Sequence, residues 1–199
     1  MLNGVMTKFN RPLAIPLLIC AFVTIGHATS YSMVPSQTNV RFAIDNFRTT
    51  ATTGGFYNVK GQLQYDAYLK TGYVSLDIPL KSLDTGSIVF NSKLAGVDFF
   101  DVQQFPLARF ESTKWYFDNK VHAQLIKVDG NLTLHGETHP IILKATEFEC
   151  SLSPILKNDS CMGKFTTTID RTKWNINKYN FLGMTKNLTL IIQVKAVKQ

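Results

Sequence analysis

From Tyr31 onward, apolar side chains recur at every second position. Val40, Phe42 and Ile44 alternate with Arg41, Ala43 and Asp45; Val59, Gly61, Leu63 and Tyr65 alternate with Lys60, Gln62, Gln64 and Asp66. After a Lys70-Thr71-Gly72 turn, Val74, Leu76, Ile78 and Leu80 resume the pattern. Successive side chains of a strand point to opposite faces, so each segment reads as an antiparallel strand with one face buried and one in water. Further strands are expected over 108–117, 121–134, 141–149, 163–169 and 188–197, with turns at Asp118-Asn119-Lys120 and His135-Gly136-Glu137. A chain with about eight such strands and little helix most simply removes its exposed edges by closing into a barrel. The interior of an eight-stranded barrel is just wide enough for packed side chains or for one small ligand, and the spacing leaves both open. Gly54, Gly55, Gly61 and Gly130 stand where a filled core wants bulk. They read either as room for a ligand or as bulges that let strands bend.

One stretch breaks the alternation. Leu83-Asp84-Thr85-Gly86-Ser87 is turn chemistry: Asp bonds the backbone two residues on, and Gly supplies a positive φ. Leu94, Val97, Phe99 and Phe100 then follow at a spacing nearer to helical turns than to a strand, so a short helical segment is expected near 88–103. Phe105-Pro106 ends it, because proline pushes the preceding residue out of the α region. A long connection rich in phenylalanine between two strands is a plug or a lid.

The order of blocks here resembles the YceI-like family of secreted lipid-binding proteins: Thr85-Gly86, Leu94 before Asp98-Phe99-Phe100-Asp101, Phe105-Pro106, then Phe110-Glu111-Ser112-Thr113. The later Gly130-Asn131-Leu132-Thr133-Leu134-His135-Gly136-Glu137-Thr138-His139-Pro140-Ile141 is similar to that family's second block, and the likeness runs from about Tyr31 to Lys198. The resemblance implies a lipocalin-like barrel holding a long isoprenoid or acyl chain. The sequence departs from the family at the polar end of the ligand: Phe90-Asn91-Ser92-Lys93 precedes Leu94 where members often carry Arg-Asp and His, and Thr38-Asn39 and Asp45-Asn46 stand in the first strand, which lacks the family's histidines. Lys93 is the head-group candidate, with a surface lysine as its competing reading.

The N-terminus reads as a secretory signal. Lys8 and Arg11 precede an apolar run from Leu13 to Ile25, and Gly26-His27-Ala28 places small residues at −3 and −1 of a cleavage site. The run falls short of the roughly 20 residues of a spanning helix. Cys20 follows Ile19, where a lipoprotein signal wants a small residue. Residues 1–28 are therefore expected to be a leader and 29–199 one exported domain, periplasmic or secreted. In an oxidising compartment Cys150 and Cys161 read as a disulfide at the mouth of a hairpin.

The net charge is +7, of which Lys8 and Arg11 belong to the leader; the remaining lysines are scattered, without the clustered basic face of a nucleic-acid binder. Mild attraction to an anionic membrane surface or head group fits that balance. An outer-membrane barrel is disfavoured, because Lys60, Gln62, Gln64 and Asp66 oppose the apolar face where lipid would lie. Asp98 and Asp101 read as turn and cap residues rather than an acid/base pair. His135 and His139 flank a turn and so lack the helical geometry of a metal pair, and no catalytic constellation or cofactor motif emerges.

The sequence thus predicts an exported all-β barrel, no enzyme, without cofactor or metal, that sequesters or carries an elongated lipid of polyisoprenoid, quinone or fatty-acyl type. The expected tunnel is lined by Phe42, Ile44, Leu63, Leu76 and Ile78 from early strands, by Leu94, Phe99, Phe100, Phe105 and Phe110 around the central stretch, and by Leu132 and Leu134. The alternative is a filled barrel whose central segment docks a membrane redox partner such as a quinone-handling cytochrome. Pairing of two chains through an exposed strand stays open.

Overall fold

The computed structural model describes residues 28–46, 52–121, 123–151, 159–178 and 184–199; the expected leader before Ala28, with Cys20, lies outside them. Among the described residues, eleven strands and one α-helix follow in order. They are β1 (Thr29–Met33), β2 (Asn39–Asn46), β3 (Thr52–Phe56), β4 (Lys60–Asp66), β5 (Thr71–Pro79), β6 (Leu83–Asp84), α1 (Ile88–Ala95), β7 (Leu107–Phe117), β8 (Leu125–Leu134), β9 (Glu137–Ser151), β10 (Ser160–Asp170) and β11 (Met184–Lys198). Every pairing is antiparallel, and the order β1-β4-β5-β7-β8-β9-β10-β11 closes on itself through Tyr31↔Lys198 and Met33↔Ala196. The expected eight-stranded antiparallel barrel with a short helix is the observed fold.

Which eight strands close the barrel differs from the expectation. The closing strand is the short β1, while the more regular β2 lies beside the middle of β11, from Asn39↔Gln193 to Ile44↔Leu188. With 15 residues, β11 has length for both neighbours. Beyond β2 the sheet continues through β3 to β6, by Gly55↔Asp84 and Phe56↔Leu83. Since β6 follows β5 through the turn Leu80–Ser82, this flap returns to the barrel wall at that end.

The central stretch is built by local hydrogen bonds. Asp84 Oδ1 accepts from the Gly86 N–H at 2.8 Å, Gly86 takes φ 76°, and Ser87 caps α1 by accepting from the Phe90 N–H at 3.3 Å. Asn91 Oδ1 accepts from both the Thr85 N–H at 2.8 Å and the Thr85 hydroxyl at 2.6 Å, tying the helix to the turn before it. The helix has eight residues, so it ends earlier than the expected segment. The chain then returns through turns in which the N–H groups of Phe100 and Val102 donate to Leu94 and Ala95 carbonyls, each at 3.0 Å. This folds Phe99, Phe100 and Val102 inward as a lid over one end of the barrel. Asp101 takes φ 42° and Asp98 bridges Lys178 at 3.1 Å, structural positions in both cases.

On the outer face Lys60, Gln62 and Gln64 meet water as expected, but Asp66 is buried, accepting the N–H groups of Tyr68 at 2.9 Å and Leu69 at 2.8 Å. His135 and Gly136 both take positive φ, 50° and 78°, in a two-residue hairpin turn.

Candidate functional site

The inward side chains of the barrel make one apolar interior, stoppered at both ends. Under the lid, the ring of Phe100 lies 5.2 Å from Phe56 and 6.2 Å from Phe42, edge to face in each case. At the far end Tyr65, Trp115, Phe117 and Phe148 form a second aromatic cluster, with Phe148 5.2 Å from Tyr65 and 5.3 Å from Trp115. Burial raises the Tyr65 hydroxyl above its ordinary pKa, with Asp66 adding to it. Buried Ser112 holds this end together, accepting from the Val74 N–H at 2.9 Å and from the Trp115 indole N–H at 3.2 Å.

Between the stoppers the space is nearly filled. Three apolar voids of about 20, 40 and 30 Å³ lie in the interior: one among Leu63, Leu76 and Phe110; one among Ile78, Leu132, Leu134 and Phe100; and one among Ile44, Leu94, Phe99 and Phe100. The second and third share Phe42, Phe100 and Leu188. Pockets that hold small molecules typically measure about 300–1,000 Å³. A ligand therefore occupies this barrel only by displacing side chains. The glycines agree: a Cβ on Gly130 would stand 2.4 Å from the Phe110 ring, one on Gly54 2.6 Å from Phe42, and one on Gly61 2.1 Å from the Ser75 carbonyl oxygen. Their missing side chains make way for neighbours rather than for open space.

Of the twelve residues predicted to line a tunnel, eleven are buried in this core: Phe42, Ile44, Leu63, Leu76, Ile78, Leu94, Phe99, Phe100, Phe110, Leu132 and Leu134. Phe105 is elsewhere. It is half-buried against the hairpin turn, its ring 4.6 Å from that of His135 and in contact range of Gly136, because Pro106 directs the chain out of the lid before β7 begins. Lys93 is exposed on the last turn of α1.

Sequence reasoning missed the far stopper, since Tyr65, Trp115, Phe117 and Phe148 come from strands distant in sequence. Trp174 caps the core: it is 1% exposed, and its indole N–H donates to the Leu132 carbonyl at 3.1 Å. Arg171 is buried and donates to the main-chain carbonyls of Thr185, Ile176 and Lys178 at 3.1, 2.7 and 3.0 Å, tying Ile176 and Lys178 to the start of β11. Burial lowers its pKa from the ordinary guanidinium value.

The Cys150–Cys161 disulfide forms between directly paired residues of β9 and β10. Among the described residues, no three His, Cys, Asp or Glu side chains gather as metal ligands. The His135 ring nitrogens are buried and have no hydrogen-bond partner there. His139 instead packs edge-on against Trp174, ring centres 5.1 Å apart.

Comparison with known proteins agrees with this architecture. A UPF0312 protein of Pseudomonas putida is 31% identical over 150 residues, covering 73% of this chain and 73% of the relative. UPF0312 proteins of Vibrio cholerae are 29% identical over 111 residues, 55% of this chain, and the chain spans 57% of their length. The crystal structure of a Campylobacter jejuni YceI protein matches with a TM-score of 0.65 at 19% identity, over 78% of this chain and 90% of that one. A polyisoprenoid binding domain from Saccharophagus degradans matches with a TM-score of 0.62 at 13% identity, over 86% of this chain and 99% of that one. These structures share the barrel. The YceI-like domain family matches residues 31–196, and the chain belongs to that family.

Proposed function

We propose that this chain is a binding protein that takes an elongated apolar molecule, a polyprenyl, quinone or fatty-acyl chain, into the barrel and sequesters or carries it. The observation behind this reading is the line of voids from Phe110 to Phe99, which are bordered almost wholly by hydrocarbon. Each methylene removed from water contributes about 0.8 kcal/mol, so a chain of a dozen or more carbons binds with few polar contacts even after some side-chain rearrangement. The polyisoprenoid binding domain of Saccharophagus degradans, which shares the fold, supports the same class of ligand. The reading involves no catalysis: Asp98 is committed to Lys178, and Glu111 accepts from the Tyr73 hydroxyl at 3.3 Å on the outer surface. Export to the periplasm or beyond is part of the proposal, supported by the disulfide, a bond that persists in oxidising compartments.

A filled barrel that docks a membrane redox partner is the second reading, and the small size of the voids favours it. Native mass spectrometry of the protein from its own host, before and after organic extraction, decides between them. One lipid class lost on extraction carries the first reading. A bare mass that stays unchanged after incubation with polyprenyl, quinone and fatty-acyl candidates overturns it in favour of the second.

A further inference from the structure

The ladder between β9 and β10 runs from Ser151↔Ser160 to Lys144↔Thr166, with a register shift between Lys164 and Phe165, and stops there. Both strands continue, β9 back to Glu137 and β10 on to Asp170, each paired on its other side only, with β8 and β11. The wall is therefore open over this half, and a groove of about 510 Å³ occupies the opening. Ile169 lines both this groove and the interior void that includes Leu132, Leu134 and Phe100. Ile169 therefore stands in the floor between groove and interior, beside Ile141 and Trp174, which also line the groove and are buried in the core. Thr167 shares the inward parity of Phe165 and Ile169, yet is only half-buried. Aromatic clusters stopper both ends of the barrel, whereas over this slot no β9–β10 ladder closes the wall and side chains alone form it.

The groove also has a charge. Lys144 and Lys173 are exposed in its lining, and its one carboxylate, Asp170, is already engaged by Lys186 at 3.3 Å and by the Thr172 hydroxyl at 2.7 Å. Positive charge beside an apolar floor matches a molecule with an anionic head and a hydrocarbon tail.

We propose that the slot between β9 and β10 admits an anionic amphiphile, seating its phosphate or carboxylate head on Lys144 and Lys173 while the tail passes Ile169 into the barrel. This inference rests on the reading of the barrel as a lipid binder. It is tested on the full-length mature protein with two probes of equal tail, farnesyl phosphate and farnesol, by calorimetric titration. Lys144→Glu with Lys173→Glu weakens farnesyl phosphate about tenfold, from two exposed charge pairs, and leaves farnesol unchanged. Thr167→Trp, which fills the slot from a half-buried position, reduces binding of both probes in a protein whose circular dichroism and melting match the parent. Parent-like binding of both probes by all of these variants overturns the slot, as does loss of farnesyl phosphate on Lys93→Glu, which moves the head group to the lid. Competition by equimolar inorganic phosphate also overturns it, as a phosphate site without a lipid. Failure of the parent to bind either probe, or any candidate lipid, overturns the lipid reading itself.

Discussion

Arg171 shows how much a single buried cation organises. Its guanidinium reaches the carbonyls of Ile176, Lys178 and Thr185, so it ties the residues after β10 to the start of β11. Arg171→Met keeps most of the volume but leaves buried carbonyls without donors, and we expect a loss of about 3–5 kcal/mol in urea unfolding. Arg171→Lys falls between, since an ammonium keeps the charge but cannot present the same planar fork. The residue stands out in Asp170-Arg171-Thr172-Lys173-Trp174, but its partners do not, because main-chain carbonyls are addressed by the fold and leave no pattern in the sequence. Gly130 teaches the same lesson from the opposite side. An alternating strand interrupted by glycine reads equally as a cavity or a close approach, and only the placement of Phe110 decides for the latter. Gly130→Ala should cost about 1–3 kcal/mol by overpacking, and Phe110→Leu in the same chain should recover part of that loss if the ring is what the new methyl strikes.

At the scale of elements, alternation made the long strands legible because a period of two with one apolar face has no helical counterpart. The short ones escaped. β1 is Thr-Ser-Tyr-Ser-Met and β3 is Thr-Thr-Gly-Gly-Phe, too short and too polar to carry a period. Their place comes from long neighbours that need a partner edge. The lid was legible as an interruption, and its turn and proline gave its ends, whereas Phe105 was assigned inward for its apolarity alone. Two predictions belong here. Phe100→Asp places a carboxylate between Phe42 and Phe56, and on the proposed lipid-binding function the expected outcome is a folded barrel from which organic extraction recovers no lipid; undiminished recovery would remove the lid from the site. Replacing Cys150 and Cys161 by serine frees the closure of a hairpin with sequence separation 11. A loss of about 3 kcal/mol follows from loop closure, and reducing agent should shift the parent's denaturation midpoint to that of the variant.

For the molecule as a whole, charge and packing set how stability responds to pH and to ligand. Asp118 is held below the ordinary carboxylate pKa first by the Gln124 N–H, Asp129 by the Tyr116 hydroxyl and Asp170 by the Thr172 hydroxyl. A carboxylate with a depressed folded pKa stabilises the fold fully above its unfolded value, and that contribution is lost as pH falls through the folded one. Melting temperature should therefore be flat with respect to these groups above about pH 5 and fall from about pH 4 downward, less steeply in Asp170→Asn. Packing makes the last prediction. Since the lipid-free barrel is filled by its own side chains, it should already melt cooperatively, unlike a barrel with an empty tunnel. A bound chain replaces contacts the protein makes with itself, so its affinity falls below the sum over its methylenes. At a free concentration 100 times its dissociation constant, any ligand of the folded state still adds about 2.7 kcal/mol. For a domain of this size that is a rise of roughly 5–10 °C in the melting temperature of the delipidated protein. Calorimetric melts with and without a saturating polyprenyl probe measure it. Coincident melts at that saturation would mean that the filled interior does not open to lipid.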